Sequence, residues 1–471
     1  MSDLTYLSAT SMAELVRQKK ISPVELAQAH LDRIAQLNPK LNAFVQVDVD
    51  RVLQEARASE AALAHGEIRG PLHGVPLSIK NSVETAGYVN ECGTRLREGV
   101  VAAKDAPIVA RLRAAGAIVL GVTNTPEFLM AWETDNLLYG RTNNPWDLTR
   151  TAGGSSGGES AAIAAGCSAG GIGSDGGGSI RVPAHFTGIC GLKPTPGRIP
   201  ATAHYPSPAG PFALIGVVGP MARTVGDVDL MFRVIAGPDD GDPCSAPVPL
   251  RSVTPDELKR TRIGYFEDDG RTPVTPESRA AVRKAAEALT RAGFTVVPFR
   301  PDDLEQARQL WWKWFGIAGG MLLGPQTKGG ESDLSPIFKE YLSWSSAEPP
   351  HTGHTLLFSW LQRDELRGKF LAQMDVFPIL LCPAAAIPAF RHGERSWLID
   401  GKTVKYLDAW SYTEWFNLLG LPGAVVPAGK SNEGLPIGVQ LVGRPWQEEL
   451  VLAVASELER ETGGFTSPPI A

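Results

Sequence analysis

No window of the chain approaches about 18 continuous uncharged apolar residues, and the most apolar stretches are broken by glycine or proline, so no membrane span is expected. The opening MSDLTYLSAT has neither a positive start nor an apolar run behind it, which argues against a secretory signal and for the cytoplasm. Cysteine is scarce: Cys92, Cys167, Cys190, Cys244 and Cys382 form no CxxC and no metal-ligand spacing. Reduced structural thiols are therefore expected, and no metal. A surplus of basic charge is also missing, with 45 basic against 51 acidic residues and no basic block, so no nucleic-acid partner is expected. Histidines number 8, and none stands where a catalytic base is recognised. His30, His73 and His392 read as structural, boundary or surface positions.

Glycine, by contrast, is plentiful, and it is concentrated. Residues 151–181 hold 11 glycines and 6 serines in 31 positions: TAGGSSGG, then ESAAIAAG, then GIGSDGGGSIR. A flexible linker can have that composition. The middle run argues otherwise, because its helix formers are too apolar for a solvated spacer. Glycines also let several backbone N–H groups crowd around one point where an oxygen develops negative charge.

Around this stretch the chain alternates between helix and strand patterns. Residues 11–37 read as two helices, with Ser11 and Glu14 as one capping box and Ser22-Pro23-Val24-Glu25 as another. Apolar strand patterns fall at 75–79, 117–121, 262–266, 293–299, 377–382, 424–428 and 436–442, with helical patterns at 51–63, 106–115, 225–235, 276–292, 413–419 and 448–461. Residues 304–341 and 356–373 read as helical and aromatic, and 238–261 as a proline-rich excursion. Such runs predict an α/β fold with buried strands. Because both ends of the chain supply strands or helices to it, one domain over 1–471 is expected. Its core would lie at about 70–225, with an aromatic, substrate-facing region at about 300–375.

Three mechanisms fit a glycine cluster beside serine. A phosphate loop needs GxxxxGK[ST], and residues 153–158 lack the lysine. Residues 171–176 match the bare GxGxxG of dinucleotide sites, but 50 glycines make that match easy by chance. The hydrolase elbow GxSxG works with a histidine base, and no histidine here has a claim to that role. There remains a nucleophilic serine with a base other than histidine. Lys80 ends an apolar strand inside GVPLSIKNSVETAG, which delivers a lone amine into a glycine-bearing loop.

At these residues the chain resembles the amidase signature family, serine hydrolases of carboxamides. The likeness is carried by GGSSGG, by the 24 residues from Ser155 to Ser179, by GGSIRVPAHFTGICGLKPT and by the Lys80 segment. It extends from the helix after Ser22 to GLPIGVQLVGRPWQE and is weakest at about 240–375. The resemblance implies the amidase signature fold, a large central mixed twisted sheet flanked by helices. It also implies a Ser-cisSer-Lys triad: Ser179 as nucleophile, Ser155 as relay on a cis bond after Gly154, Lys80 as base, and Ser156 as companion. Gly176, Gly177, Gly178 and Ser179 would supply the oxyanion hole, with Asp175 and Arg181 structural. No cofactor follows from it; a homodimer does. Such an enzyme would cleave small aryl, acyl or oligo amides through an acyl-enzyme. The alternative is the glutamine-hydrolysing subunit of a tRNA-dependent amidotransferase. Lysine accepts a proton only when neutral, so Lys80 is expected to be buried, with no carboxylate beside it. Met130, Trp132, Tyr139, Phe315, Ile387 and Trp415 are the expected pocket residues.

Overall fold

Eleven short runs pair into one sheet in the computed structural model, which describes residues 4–470. Residues 1–3 and 471, the ends of the expected domain and part of the opening decapeptide, lie outside the described residues. The sheet strands, in chain order, are β1 (Phe44–Val47), β2 (Pro76–Lys80), β3 (Ile118–Thr123), β4 (Gly170–Asp175), β5 (Cys190–Lys193) and β6 (Val217–Ala222). They continue with β7 (Arg262–Tyr265), β8 (Thr295–Pro298), β9 (Ile379–Pro383), β10 (Gly423–Lys430) and β11 (Pro436–Gly443). Their spatial order is β1-β3-β2-β4-β6-β5-β10-β11-β9-β7-β8. The sheet is mixed: β3-β2-β4 and β9-β7-β8 run parallel, and the remaining neighbours are antiparallel.

Most of β2, β3, β10 and β11 is buried on both faces, which is why these strands read as continuous apolar runs. Helices cover the sheet, among them Val225–Ile235, Pro276–Arg291 and Glu448–Thr462, and their Val228, Met231, Val282, Leu289, Val451 and Leu458 are fully or almost fully buried against the strands. A second, aromatic core gathers Trp132, Trp311, Trp314, Trp410 and Trp415. The tryptophans of the 304–341 region are thus mostly core.

Several elements differ from the sequence reading. β1, β4, β5 and β6 are strands that no apolar pattern announced. In GGIGSD of β4 glycine is required by proximity: a Cβ on Gly171 would lie 1.9 Å from Glu159 Oε1. The first helix is Ala9–Arg17, capped by Ser8 accepting from Ser11 N at 3.0 Å, so the box from Ser11 to Glu14 does not form. Ser22 does cap the next helix, Pro23–Leu41, accepting from Val24 N at 2.9 Å. The 304–341 region is broken into Leu304–Trp312, a wide turn at Lys313–Ala318, Gly319–Leu323 and Pro336–Ser346. Gly316, Gly319, Gly320, Gly324 and Pro325 interrupt it, all poor helix residues. His30 is fully buried rather than at a boundary, its Nδ1 2.8 Å from Leu26 O. No helix among the described residues is long and apolar enough to cross a membrane.

Candidate active site

β2 and β4 are parallel neighbours, so their carboxyl ends fall side by side. In open α/β sheets that edge is where ligands bind. Lys80 is the last residue of β2, and Ser174 and Asp175 are the last of β4. The GGSSGG segment then lays Ser155 and Ser156 against the same point, at the start of the helix Gly157–Ala164. The Gly154–Ser155 peptide bond is cis.

Lys80 is fully buried. Its Nζ lies 2.7 Å from Ser155 Oγ, 2.9 Å from Ser156 Oγ and 2.9 Å from Ser174 Oγ. No carboxylate is among these contacts. Burial pulls its pKa down to about 7, against the weaker opposing fields of Cys92, Asp175 and Glu159. Glu159 beneath the site is itself pushed up to about 7 by burial, and accepts hydrogen bonds from the Ser78 and Thr123 hydroxyls. The Ser156 hydroxyl can donate to Ser174 O at 3.3 Å, and its oxygen is then available as an acceptor for Lys80. A neutral amine has two N–H groups and one lone pair, which matches three serine oxygens if one hydroxyl donates to it.

The loop 176–179 is fixed from behind. Trp311 Nε1 donates to Gly176 O at 2.9 Å, while Trp132 Nε1 (2.8 Å) and Thr413 Oγ1 (2.9 Å) donate to Gly177 O. In a trans peptide the N–H points opposite to the preceding carbonyl, so these bonds also aim the next N–H. Gly178 has φ +115°, and a Cβ there would meet Thr413 Oγ1 at 2.4 Å. A Cβ on Gly177 would meet Trp311 Cζ2 at 2.4 Å. Asp175 accepts from Gly178 N at 2.7 Å and forms a wholly buried ion pair with Arg181. Although burial opposes it, the guanidinium holds the Asp175 carboxyl well below the usual carboxylate range. The Gly178 N–H is thereby committed to Asp175 and is not free for an oxyanion. The N–H groups of Gly176, Gly177 and Ser179 make no hydrogen bond among the described residues.

Ser155 and Ser179 both line a cavity of about 430 Å³ whose walls include Phe128, Met130, Phe212 and Phe315. Residues 25–452 match the family model described as Amidase. The chain belongs to the amidase signature family. That makes it an enzyme acting on amides. It is 37% identical over 97% of its length to an indoleacetamide hydrolase of Bradyrhizobium diazoefficiens, covering 86% of that protein. An acylamidase of Rhodococcus erythropolis is 35% identical, with 97% of this chain and 96% of the relative aligned. Among solved structures, a bacterial aryl acylamidase described as an amidase signature enzyme superposes with a TM-score of 0.85 at 30% identity, covering 97% of this chain and 96% of that one.

Within this amidase signature fold, two of the six expected pocket residues, Met130 and Phe315, line the cavity. Trp132 stands behind the glycine loop and stacks on Trp410. Tyr139 instead donates to the Glu91 carboxylate, away from the cavity, so the 138–146 loop is not its wall. Ile387 is core, its carbonyl 3.0 Å from His185 Nε2, and Trp415 is fully buried against Tyr412. Sequence reasoning missed Ser174, which becomes a neighbour of Lys80 only through the β2–β4 pairing. It also missed the 201–218 segment, which carries His204 and the cis Tyr205–Pro206 bond and forms one side of the cavity. The run Pro206-Ser-Pro-Ala-Gly-Pro211 was the available signal, since a loop so rich in proline is stiff. Burial pushes His204 down to about 4, and its Nδ1 donates to Pro206 O at 2.9 Å. His73 is buried and structural, its Nε2 3.0 Å from Ser59 O.

Proposed function

We propose that this amidase cleaves small carboxamides with an aryl or otherwise apolar acyl group, using Ser179 as nucleophile, Ser155 as proton relay and Lys80 as base. Ser179 Oγ attacks the carbonyl carbon while its proton passes to Ser155, whose own proton moves to the neutral Lys80 amine. The oxyanion is received by N–H groups of Gly176, Gly177 and Ser179, each worth roughly 3 kcal/mol on the transition state. Collapse breaks the C–N bond, and the proton returns from Lys80 through Ser155 to the departing nitrogen. Water then attacks the acyl-enzyme, releasing the carboxylic acid. Ser156 and Ser174 hold the amine in place; Asp175 and Arg181 hold the loop.

The observation that carries this proposal is a fully buried lysine amine 2.7 Å from Ser155, below a cavity that Ser155 and Ser179 share. Support for an apolar acyl group comes from the walls. Among the described residues Asp175 is the only charged one lining the cavity, and it is spent on Arg181. Glutamine would bring an α-carboxylate and an α-ammonium into that space with no opposite charge free to receive the carboxylate, which disfavours the amidotransferase alternative. An indoleacetamide hydrolase and two acylamidases among the similar proteins favour an aryl or acyl amide, while glutamyl-tRNA(Gln) amidotransferase subunits A align at 34–35% identity, so the cavity walls carry the distinction.

Phenylacetamide, an acyl p-nitroanilide and glutamine offered to the enzyme separate the readings. The aryl or acyl amides are expected to react with kcat/KM at least about a hundredfold above glutamine. The reverse order would establish a glutaminase. Ser179→Ala is expected to lower kcat by roughly 10⁴-fold or more, and retention of the wild-type rate would rule out the nucleophile.

A further inference from the structure

A second cavity, of about 870 Å³, shares no lining residue with the first. It is bounded by the helices Leu304–Trp312, Pro336–Ser346 and Ser411–Leu418 and by the end of the hairpin Ser396–Ile399/Lys402–Lys405. Trp312 and Trp344 line it half-buried, and Trp311 forms part of the wall towards the glycine loop. Glu414 also lines it, with 2% of its surface exposed. The Glu414 carboxyl makes no hydrogen bond and no ion pair among the described residues.

A buried carboxyl left without a protein partner is expensive, and such groups are normally matched. The surrounding charges do not match it. Arg308 lies 3.3 Å from Asp408 and 3.1 Å from Glu305, and Arg395 pairs with Glu133 at 2.9 Å and Glu340 at 3.1 Å. Arg308 is thus already engaged by two carboxylates, one of them shared with Arg271, and Arg395 is engaged by two more. The other charged lining groups are Lys313, Lys405 and Glu348, of which Lys405 and Glu348 are exposed. Aromatic faces beside an unmatched acid attract an organic cation through both the ring quadrupole and the carboxylate.

We propose that this cavity is a binding site for an organic ammonium ion, with Glu414 as its counter-ion and the indoles of Trp312 and Trp344 packed on its apolar part. Burial raises the Glu414 pKa well above the carboxylate range; an ammonium ion that takes Glu414 as its counter-ion therefore displaces the carboxyl proton to solvent, and Glu414→Gln keeps the shape while removing the group that can become the counter-ion. The site does not depend on which amide is hydrolysed.

Calorimetric titration with benzylammonium, and with benzyl alcohol as its uncharged counterpart, tests the assignment. Saturable binding of benzylammonium is expected, with the alcohol and the Glu414→Gln protein each at least about tenfold weaker. Trp344→Leu is expected to weaken benzylammonium as well. Met130→Trp, which fills the catalytic cavity instead, should leave the affinity unchanged. Absence of saturable binding, equal affinity for ammonium and alcohol, or loss of binding in Met130→Trp would each overturn the proposal. Should Glu414→Gln fail to fold, the ligand comparison and the Trp344 and Met130 variants still decide it.

Discussion

In the proposed mechanism the chemistry turns on a lysine amine that must be neutral to work. Burial brings Lys80 to about 7 from its ordinary 10.5, so the neutral fraction grows as pH rises through 7. The expected kcat/KM profile therefore climbs from about pH 6 to 8 and then levels. His204 lines the same cavity but lies near 4, already neutral throughout that range, so a His204→Asn variant should keep the limb near 7. A limb at 6.5 that vanished with His204 would assign the titration to the wrong group. Lys80→Met is expected to abolish turnover while raising the melting temperature, because it replaces a buried amine whose protonation folding opposes.

At the scale of elements, the glycine loop between β4 and the helix Arg181–Thr187 is shaped by its neighbours rather than by its own sequence. Trp311 and Trp132 hold successive carbonyls, and Thr413 reinforces the second. Trp311→Phe keeps the packing on Phe315, 4.6 Å between centroids, but removes the donor to Gly176 O. A fall of roughly tenfold or more in kcat with KM nearly unchanged is expected, since an oxyanion donor matters only in the transition state. Gly177→Ala would push a methyl into the Trp311 ring, and its kcat loss should approach the roughly hundredfold cost of a missing oxyanion donor. Steady-state kinetics on one amide measures both.

Over the whole molecule, buried ionisable groups couple stability to pH. Lys80 and Lys193 are both fully buried and both lowered to about 7 by burial. From there up to their unfolded value, the unfolded chain holds protons that the native one does not, so stability rises with pH. Glu133 and Glu159, raised to about 7, act oppositely: the native state holds their protons between about pH 4.5 and 7, and stability falls with pH there. The lysines dominate above about pH 7.5, and urea midpoints should increase from there to about pH 8; nearer the ordinary thiol value of 9.0, buried thiols such as Cys92, raised to about 12, oppose them. Lys80→Met should lower that slope. Asp175, held low by Arg181, contributes stability that is present above its unfolded value near 4 and is lost as the solution is acidified through its native pKa.

The sequence by itself determined the chemistry-bearing residue types and their order. Lys80 at a strand end, two serines in GGSSGG and a third after three glycines were legible through the likeness of these segments to the amidase signature family. Long apolar runs such as β10 and β11 were legible for a local reason, since burial on both faces leaves an unbroken pattern. Tertiary structure alone decided which groups meet. Ser174 reaches Lys80 because β2 and β4 pair, a contact between residues 94 apart that no local signal encodes. Trp132 and Trp415 turned out to be core because an aromatic side chain looks the same in sequence whether it faces a cavity or a neighbour's ring. The glycine strand β4 and the cavity wall at 201–218 followed the same logic: both take their conformation from what packs on them, and packing partners distant in the chain are set only when the sheet closes.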